Sequence, residues 1–269
     1  MYLELSDGAT IGCELTGEGE TIIFIPGILG NTRTFDGMLK YINGSYRCLS
    51  VEYAGQGKTR IAGRKEKEQY AVAGHVGDLQ RLLKYLKIDK CHIVGLSFGS
   101  LLAVELAARM AGKAKSLVLL SSLICNDTAH YKNWAQFWSD CSSDADRLTK
   151  IGIGLLFSEK YLQAHPDQYT QLKEIYSQLS PENLLAFRHN LKTGPEYDIK
   201  NTFSRLQCPV RIIHGEEDII HPVWELRAWL KQTGKSSLLH ALPDTAHALH
   251  VEQPELIARE MRQFWISKQ

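Results

Sequence analysis

Ser97 lies in Gly95-Leu96-Ser97-Phe98-Gly99, a G-x-S-x-G pattern. A serine hydroxyl is a poor nucleophile until a base takes its proton, and the base works best when an acid orients it. Two later segments offer such groups. Gly215-Glu216-Glu217-Asp218-Ile219-Ile220 carries three carboxylates, and Pro243-Asp244-Thr245-Ala246-His247 ends in an imidazole, with His250 three residues further on. Ser97, Asp218 and His247 taken together run nucleophile, acid, base along the chain, one of the orders in which this chemistry occurs on unrelated folds. Glu216, Glu217 and Asp127 are the other candidate acids, and His250 is the other candidate base. The five-residue pattern alone equally describes a Gly-Ser turn opening a core helix, so the surrounding elements decide.

Those elements must hold the serine on a sharp turn. Cys91 to Leu96 reads as a buried strand, and Phe98 to Ala111 as a buried helix whose only charges, Glu105 and Arg109, can pair at i,i+4. Gly95 and Gly99 are expected where a Cβ would strike neighbouring backbone. Ser100 and Ala103 are small where the helix approaches the sheet. Upstream, Asp7-Gly8 signals a hairpin turn, and Thr21 to Ile25 and Arg47 to Val51 read as strands. Phe35, Met38, Leu39 and Ile42 have helical spacing. In the segment 68 to 87, Val72, Val76, Leu79, Leu83 and Leu86 form an amphipathic stripe. Lys115 to Ser121 is a further strand. The alternation predicts an α/β, doubly wound parallel sheet.

The rhythm stops between residues 124 and 203. Four aromatic, helix-like segments fill a stretch far longer than an ordinary connection. They predict a helical cap over a core made of residues 1–123 and 204–269. Strands at 209–214 and 237–241 then precede the two loops that carry Asp218 and His247, and helices follow at about 222–233 and 254–266.

Composition excludes several partner classes. The formal charge is +1, from 31 basic and 30 acidic residues, so neither nucleic acid nor an anionic membrane is expected. No stretch has the apolar length of a membrane span. The six cysteines show no C-x-x-C spacing, and Cys48, Cys91 and Cys208 read as buried small hydrophobes. His75, His92 and the other histidines lack metal-ligand spacing, so no metal and no cofactor is expected. With no signal-peptide pattern at Met1, a reduced, cytoplasmic compartment is the expectation.

Four segments together resemble the α/β-hydrolase superfamily over nearly the whole chain: the Pro-Gly loop at 26–30, Gly-Leu-Ser-Phe-Gly at 95–99, His-Gly-Glu-Glu-Asp at 214–218, and Pro-Asp-Thr-Ala-His followed by Glu252-Gln253-Pro254. The resemblance implies a mostly parallel eight-stranded sheet with a helical cap. It implies Ser97 as nucleophile, His247 as general base and then acid, and Asp218 as orienter of the imidazole. It also implies an oxyanion hole of two backbone N–H groups, Phe98 with Ile28, or Leu29 in place of Ile28. His214 reads as a structural histidine and Glu52 as an anchor for its loop. Relatives commonly have His-Gly where this chain has Pro26-Gly27, so any substrate contact from that histidine is absent here. A serine rather than an aspartate argues against haloalkane dehalogenation and epoxide hydrolysis.

The cap would set specificity. Leu29, Trp134, Trp138 and Phe157 are the candidate pocket residues, although aromatic residues in such a segment also serve to hold cap to core. A serine triad beneath an apolar pocket points to a small hydrophobic ester, thioester or lactone. The same acyl-enzyme could serve an acyltransferase or thioesterase, and a non-catalytic ligand-binding protein is the remaining alternative. Nothing in the sequence indicates the oligomeric state.

Overall fold

Strands covered on both faces need apolar side chains without alternation, and the central runs supply them. A computed structural model describes residues 1–5, 8–42, 44, 46–61, 63, 65–142 and 144–267. Asp7 of the expected hairpin turn lies outside the described residues. The strands are β1 (Tyr2–Glu4), β2 (Thr10–Thr16), β3 (Glu20–Ile25), β4 (Tyr46–Val51), β5 (Cys91–Leu96), β6 (Ala114–Leu120), β7 (Val210–Gly215) and β8 (Leu239–Leu242). They form one eight-stranded sheet in the order β1-β2-β4-β3-β5-β6-β7-β8. Only the pairings of β2 with β1 and β4 are antiparallel; β3 through β8 pair in parallel.

Register matters most for the site. Ile25 lies beside Gly95, Leu96 beside Leu120, Leu120 beside Ile213, and Gly215 beside Leu242. The carboxyl ends of β3, β5, β6, β7 and β8 are thus level, and the loops that leave them share one edge, where open parallel sheets bind ligands.

The first helices are α1 (Asp36–Leu39), α2 (Glu66–Gln69), α3 (Val72–Tyr85) and α4 (Phe98–Arg109). Between β6 and β7 come α5 (Ala129–Cys141), α6 (Ala145–Leu156), α7 (Glu159–Ala164), α8 (Gln168–Ser177), α9 (Pro181–Thr193) and α10 (Ile199–Ser204). The last are α11 (Val223–Gln232), α12 (Leu249–Glu252) and α13 (Pro254–Ile266). Successive strand residues feed opposite cores, as the period of two requires. Ile23 and Ile25 pack with residues of α3 and α4, whereas Ile22 and Phe24 pack with Met38 of α1 and Trp265 of α13. Helices therefore cover both faces. In α4, Arg109 Nε donates to Glu105 Oε1 at 2.7 Å, the pairing their spacing predicts.

Several elements differ from the sequence reading; the helix expected over 68–87 is two, α2 and α3, and α12 is an added turn of helix. The apolar spacing at Phe35, Met38 and Ile42 does bury those side chains, but on a single helical turn continued by tight turns, with Tyr41 N–H on Met38 O and Ile42 N–H on Leu39 O. α7 and α10 are short additional helices, and α10 packs against α4. Cys48 and Cys91 are buried, and burial pushes their thiols up to about 11 and about 12; Cys208 is only half-buried.

Candidate active site

The serine turn is built by exclusion of side chains. Ser97 adopts φ 52° and ψ −122°, a strained conformation for a residue with a Cβ. Its N–H donates to Leu120 O at 2.9 Å, and α4 begins at the next residue. A Cβ on Gly95 would lie 2.5 Å from Gly99 O, and one on Gly99 would lie 2.3 Å from Pro26 O. Both glycines are therefore required by close backbone approach. Ser100 is small for packing and also useful, because its Oγ accepts Leu123 N–H at 3.0 Å.

The loops after β7 and β8 bring the other two groups to this turn. His247 Nε2 lies 2.9 Å from Ser97 Oγ, and His247 Nδ1 lies 2.8 Å from Asp218 Oδ2. With an ionised carboxylate at one end, the network assigns the proton to Nδ1 and leaves Nε2 to accept from the serine. Asp218 is buried, and its Oδ1 accepts the N–H groups of Ile220 and His221 at 3.0 and 2.9 Å. Burial would raise its pKa, but the hydrogen-bonded His247 ring outweighs this and holds it well below the usual carboxylate range. Ser97 itself stays partly exposed, so a substrate can reach its hydroxyl.

The other candidates sit elsewhere. Asp127 is exposed and pairs with Lys200 at 2.7 Å, Glu216 pairs with Arg227 at 2.6 Å, and Glu217 faces solvent. His250 packs against Phe35, and burial pushes its ring down to about 3. His214 is structural in detail: its Nδ1 accepts Ser122 N–H at 3.2 Å and its Nε2–H donates to His221 O at 2.7 Å. Glu52 anchors its loop by accepting Thr59 Oγ1–H at 3.0 Å. His75 meets Asn190 and His92 meets Ser116 and Glu20. Among the described residues, no group of three or more His, Cys, Asp or Glu could hold a metal ion. No helix among them is long and apolar enough to cross a membrane.

The β3 loop runs alongside the serine. A Cβ on Gly27 would lie 3.2 Å from Ser97 Cβ. Gly30 N–H donates to Gly27 O at 3.1 Å, which closes a tight turn with Ile28 and Leu29 at its corners. Leu29 has φ 61° at the position where a type II turn usually places glycine. Phe98 is the first residue of α4, so its N–H has no acceptor within the helix. The pocket candidates are scattered: Trp134 and Trp138 lie on α5, Phe157 follows α6, and Leu29 lies in the loop after β3. Trp134 lines an open recess of about 300 Å³ with His130, Asn133 and Phe137. Trp138 is buried edge-on against Phe187 at 5.6 Å, and Phe157 stacks on Tyr161 at 5.4 Å. Leu29 faces a narrow crevice shared with Gln56, Asn183 and Phe187.

Three supporting residues were not anticipated. Ser121, at φ 45°, donates from Oγ to His247 O at 2.7 Å and fixes the backbone of that loop. Gln56 Nε2 donates to Gly27 O at 2.7 Å. Glu252 accepts Ala246 N–H at 3.1 Å and Ser158 Oγ–H at 2.5 Å. Their signals are single polar residues beside a strand end or within a terminal motif, too common to single out.

Two buried histidines beside Asp218 and His247 set an acid limit. His221 lies against His247 at 5.5 Å and Tyr131 at 4.8 Å. Burial holds both His214 and His221 below the ordinary imidazole range. Their folded pKa values are below the unfolded ones, so stability is fully present above pH ~6.5 and falls as pH drops below it. Each such ring removes up to about 1.4 kcal/mol per pH unit. Melting temperatures measured from pH 8 to pH 5 should be flat above about 6.5 and decline steadily below it. A flat curve down to pH 5 would contradict the buried neutral rings.

A family model described as alpha/beta hydrolase fold matches residues 20–147. Protein PHYLLO, chloroplastic, of Arabidopsis thaliana is 22% identical over 267 residues, covering 92% of this chain but only 15% of that protein's length. Serine hydrolase BPHL of Homo sapiens is 25% identical over 252 residues, covering 91% of this chain and 79% of that protein. Among solved structures, a thermophilic esterase from Thermogutta terrifontis aligns with a TM-score of 0.82 at 20% identity, over 100% of this chain and 98% of that one. At such identity the structural likeness shows the fold. That fold, with its strand order and its serine turn between β5 and α4, agrees with the matched family model, and the chain has the α/β-hydrolase fold.

Proposed function

We propose that the chain is a serine hydrolase that cleaves a carboxylic ester, thioester or lactone of a small hydrophobic substrate through an acyl-enzyme. One observation carries the reading: an unbroken hydrogen-bond line from Asp218 Oδ2 through both nitrogens of His247 to Ser97 Oγ, with steps of 2.8 and 2.9 Å. The names serine hydrolase and esterase among its relatives support the same class.

In this mechanism Ser97 Oγ attacks the carbonyl carbon while His247 Nε2 takes its proton. Asp218 keeps Nδ1 protonated and stabilises the imidazolium that forms. The N–H groups of Phe98 and Ile28 receive the oxyanion, an arrangement worth roughly 3 kcal/mol per donor. Collapse breaks the bond to the leaving oxygen or sulfur, which takes the proton from His247. Water then enters, gives a proton to the same nitrogen and releases the acid, with the proton returning to Ser97.

The test is to quench turnover of a p-nitrophenyl ester series and locate the acyl mass by peptide mapping. The reading expects the adduct on Ser97, with turnover depending on acyl length. An adduct elsewhere, or none under burst conditions, would overturn it. Adding a primary alcohol to the same assay shows whether water or another hydroxyl takes the acyl group.

A further inference from the structure

We propose that Gln56 is a positioning residue that sets the oxyanion donor Ile28 N–H, and that its loop ties this donor to cap helix α9; the inference rests on the function proposed above. Gln56 is buried. Its side chain is held at both ends, with Oε1 accepting Tyr53 N–H at 3.2 Å and Nε2 donating to Gly27 O at 2.7 Å. The Gly27 carbonyl also receives Gly30 N–H at 3.1 Å. The Gly27–Ile28 peptide is planar and trans, so fixing its carbonyl toward Gln56 fixes the N–H of Ile28 in the opposite direction. Two donors on one carbonyl also polarise that peptide and strengthen its N–H as a donor. Gln56 therefore acts on the oxyanion through a backbone group, without touching substrate.

The same loop is clamped from the cap. Asn183, in the first turn of α9, donates from Nδ2 to Gly55 O at 2.8 Å and to Gly57 O at 3.2 Å, the two carbonyls flanking Gln56. Asn183 Oδ1 meanwhile accepts Ser180 N–H at 3.0 Å, so its amide is oriented by the helix cap. Gly55 has φ +83°, and a Cβ there would lie 2.1 Å from Ala186 Cβ, so α9 rests directly on this loop. The line Asn183, Gly55–Gly57, Gln56, Gly27 joins α9 to the oxyanion turn by direct hydrogen bonds.

The experiment compares Gln56→Leu and Gln56→Glu with the native enzyme on a p-nitrophenyl ester, and measures inhibition by phenylboronic acid, which forms a tetrahedral adduct on a nucleophilic serine. Gln56→Leu should lower kcat roughly tenfold to a hundredfold and change KM by less than about threefold. Boronate affinity should fall by a similar factor, because the adduct oxygen occupies the oxyanion position. Gln56→Glu reads the donor itself, since only the protonated acid can donate to Gly27 O. The ratio of variant to native activity should fall as pH rises from 5 to 8. The titratable groups beside this loop are Glu52, which packs on Gly57, and Tyr70, which packs on Gly55; a Glu52 carboxylate raises the pH at which the introduced carboxyl ionises but leaves the direction of the fall unchanged. Unchanged kcat in Gln56→Leu, a kcat loss with unchanged boronate affinity, or a pH-independent ratio for Gln56→Glu would each overturn the inference. A Ser97→Ala control separates the two failures. If that variant is inactive while Gln56→Leu is native-like, only the role of Gln56 falls; if it retains turnover, the proposed function falls.

Discussion

Replacing Ser97 with alanine is expected to lower kcat on a short p-nitrophenyl ester at least about a thousandfold while the protein stays folded. The activity loss follows from removing the hydroxyl that lies 2.9 Å from His247 Nε2 and that would carry the acyl group. Residual turnover would come from water and the proposed oxyanion donors, Phe98 and Ile28 N–H. The fold should survive because alanine keeps the Cβ, and so meets the same strain at φ 52° that serine already tolerates. The lost hydroxyl makes one hydrogen bond at a partly exposed site, a change of about 1 kcal/mol or less. His247 keeps its bond to Asp218 in the variant. Steady-state kinetics and a thermal melt on the same preparation check both halves. Undiminished hydrolysis with a native melt would remove Ser97 from the mechanism.

The second large effect is expected at Gly99. In Gly99→Ala the new methyl would lie 2.3 Å from Pro26 O and 2.4 Å from Ile25 O, both backbone atoms that cannot rotate away. Alanine gains about 1 kcal/mol of helix propensity over glycine, but overpacking against a fixed backbone costs about 1–3 kcal/mol, so a net loss of stability is expected. Activity should suffer more than stability, because the end of β3 that must yield leads into the turn holding Ile28. The control is Gly154→Ala in α6, where a Cβ meets nothing within 4 Å and stability should be equal or higher. Equal melting temperatures and kcat for Gly99→Ala and the native protein would show that the serine turn has room for a side chain at this position.

Much of this architecture is legible in the chain because single physical rules govern it. Cys91 to Leu96 can only be a covered strand, and Gly95 and Gly99 are glycine because the turn forbids a side chain. The order of strands and loops then places Asp218 and His247 at one edge. What was not legible is of two kinds. α7 and α10 are too short for periodicity, although each has an N-cap in sequence, Ser158 and Asp198, that accepts an amide at 3.2 and 3.0 Å. The other kind is long-range: Gln56 to Gly27 spans 29 residues and Ser121 to His247 spans 126, and no local pattern encodes such partners. The aromatic residues of α5 show the same limit. Trp134 and Trp138 are four residues apart on α5, yet one lines an open recess and the other is buried against Phe187.

The corner between α6 and α7 is bonded to the loop that carries His247. Ala248 N–H donates to Leu156 O at 2.7 Å, and Glu252 accepts both the N–H and the hydroxyl of Ser158 as well as the N–H of Ala246. These bonds flank His247 on either side in sequence. Motion of that corner cannot occur without breaking bonds that position the imidazole, so the two segments form one cooperative unit in local opening. Opening at this corner and displacement of the His247 loop are then a single equilibrium: a molecule opened here is also one in which the line from Asp218 through His247 to Ser97 is broken.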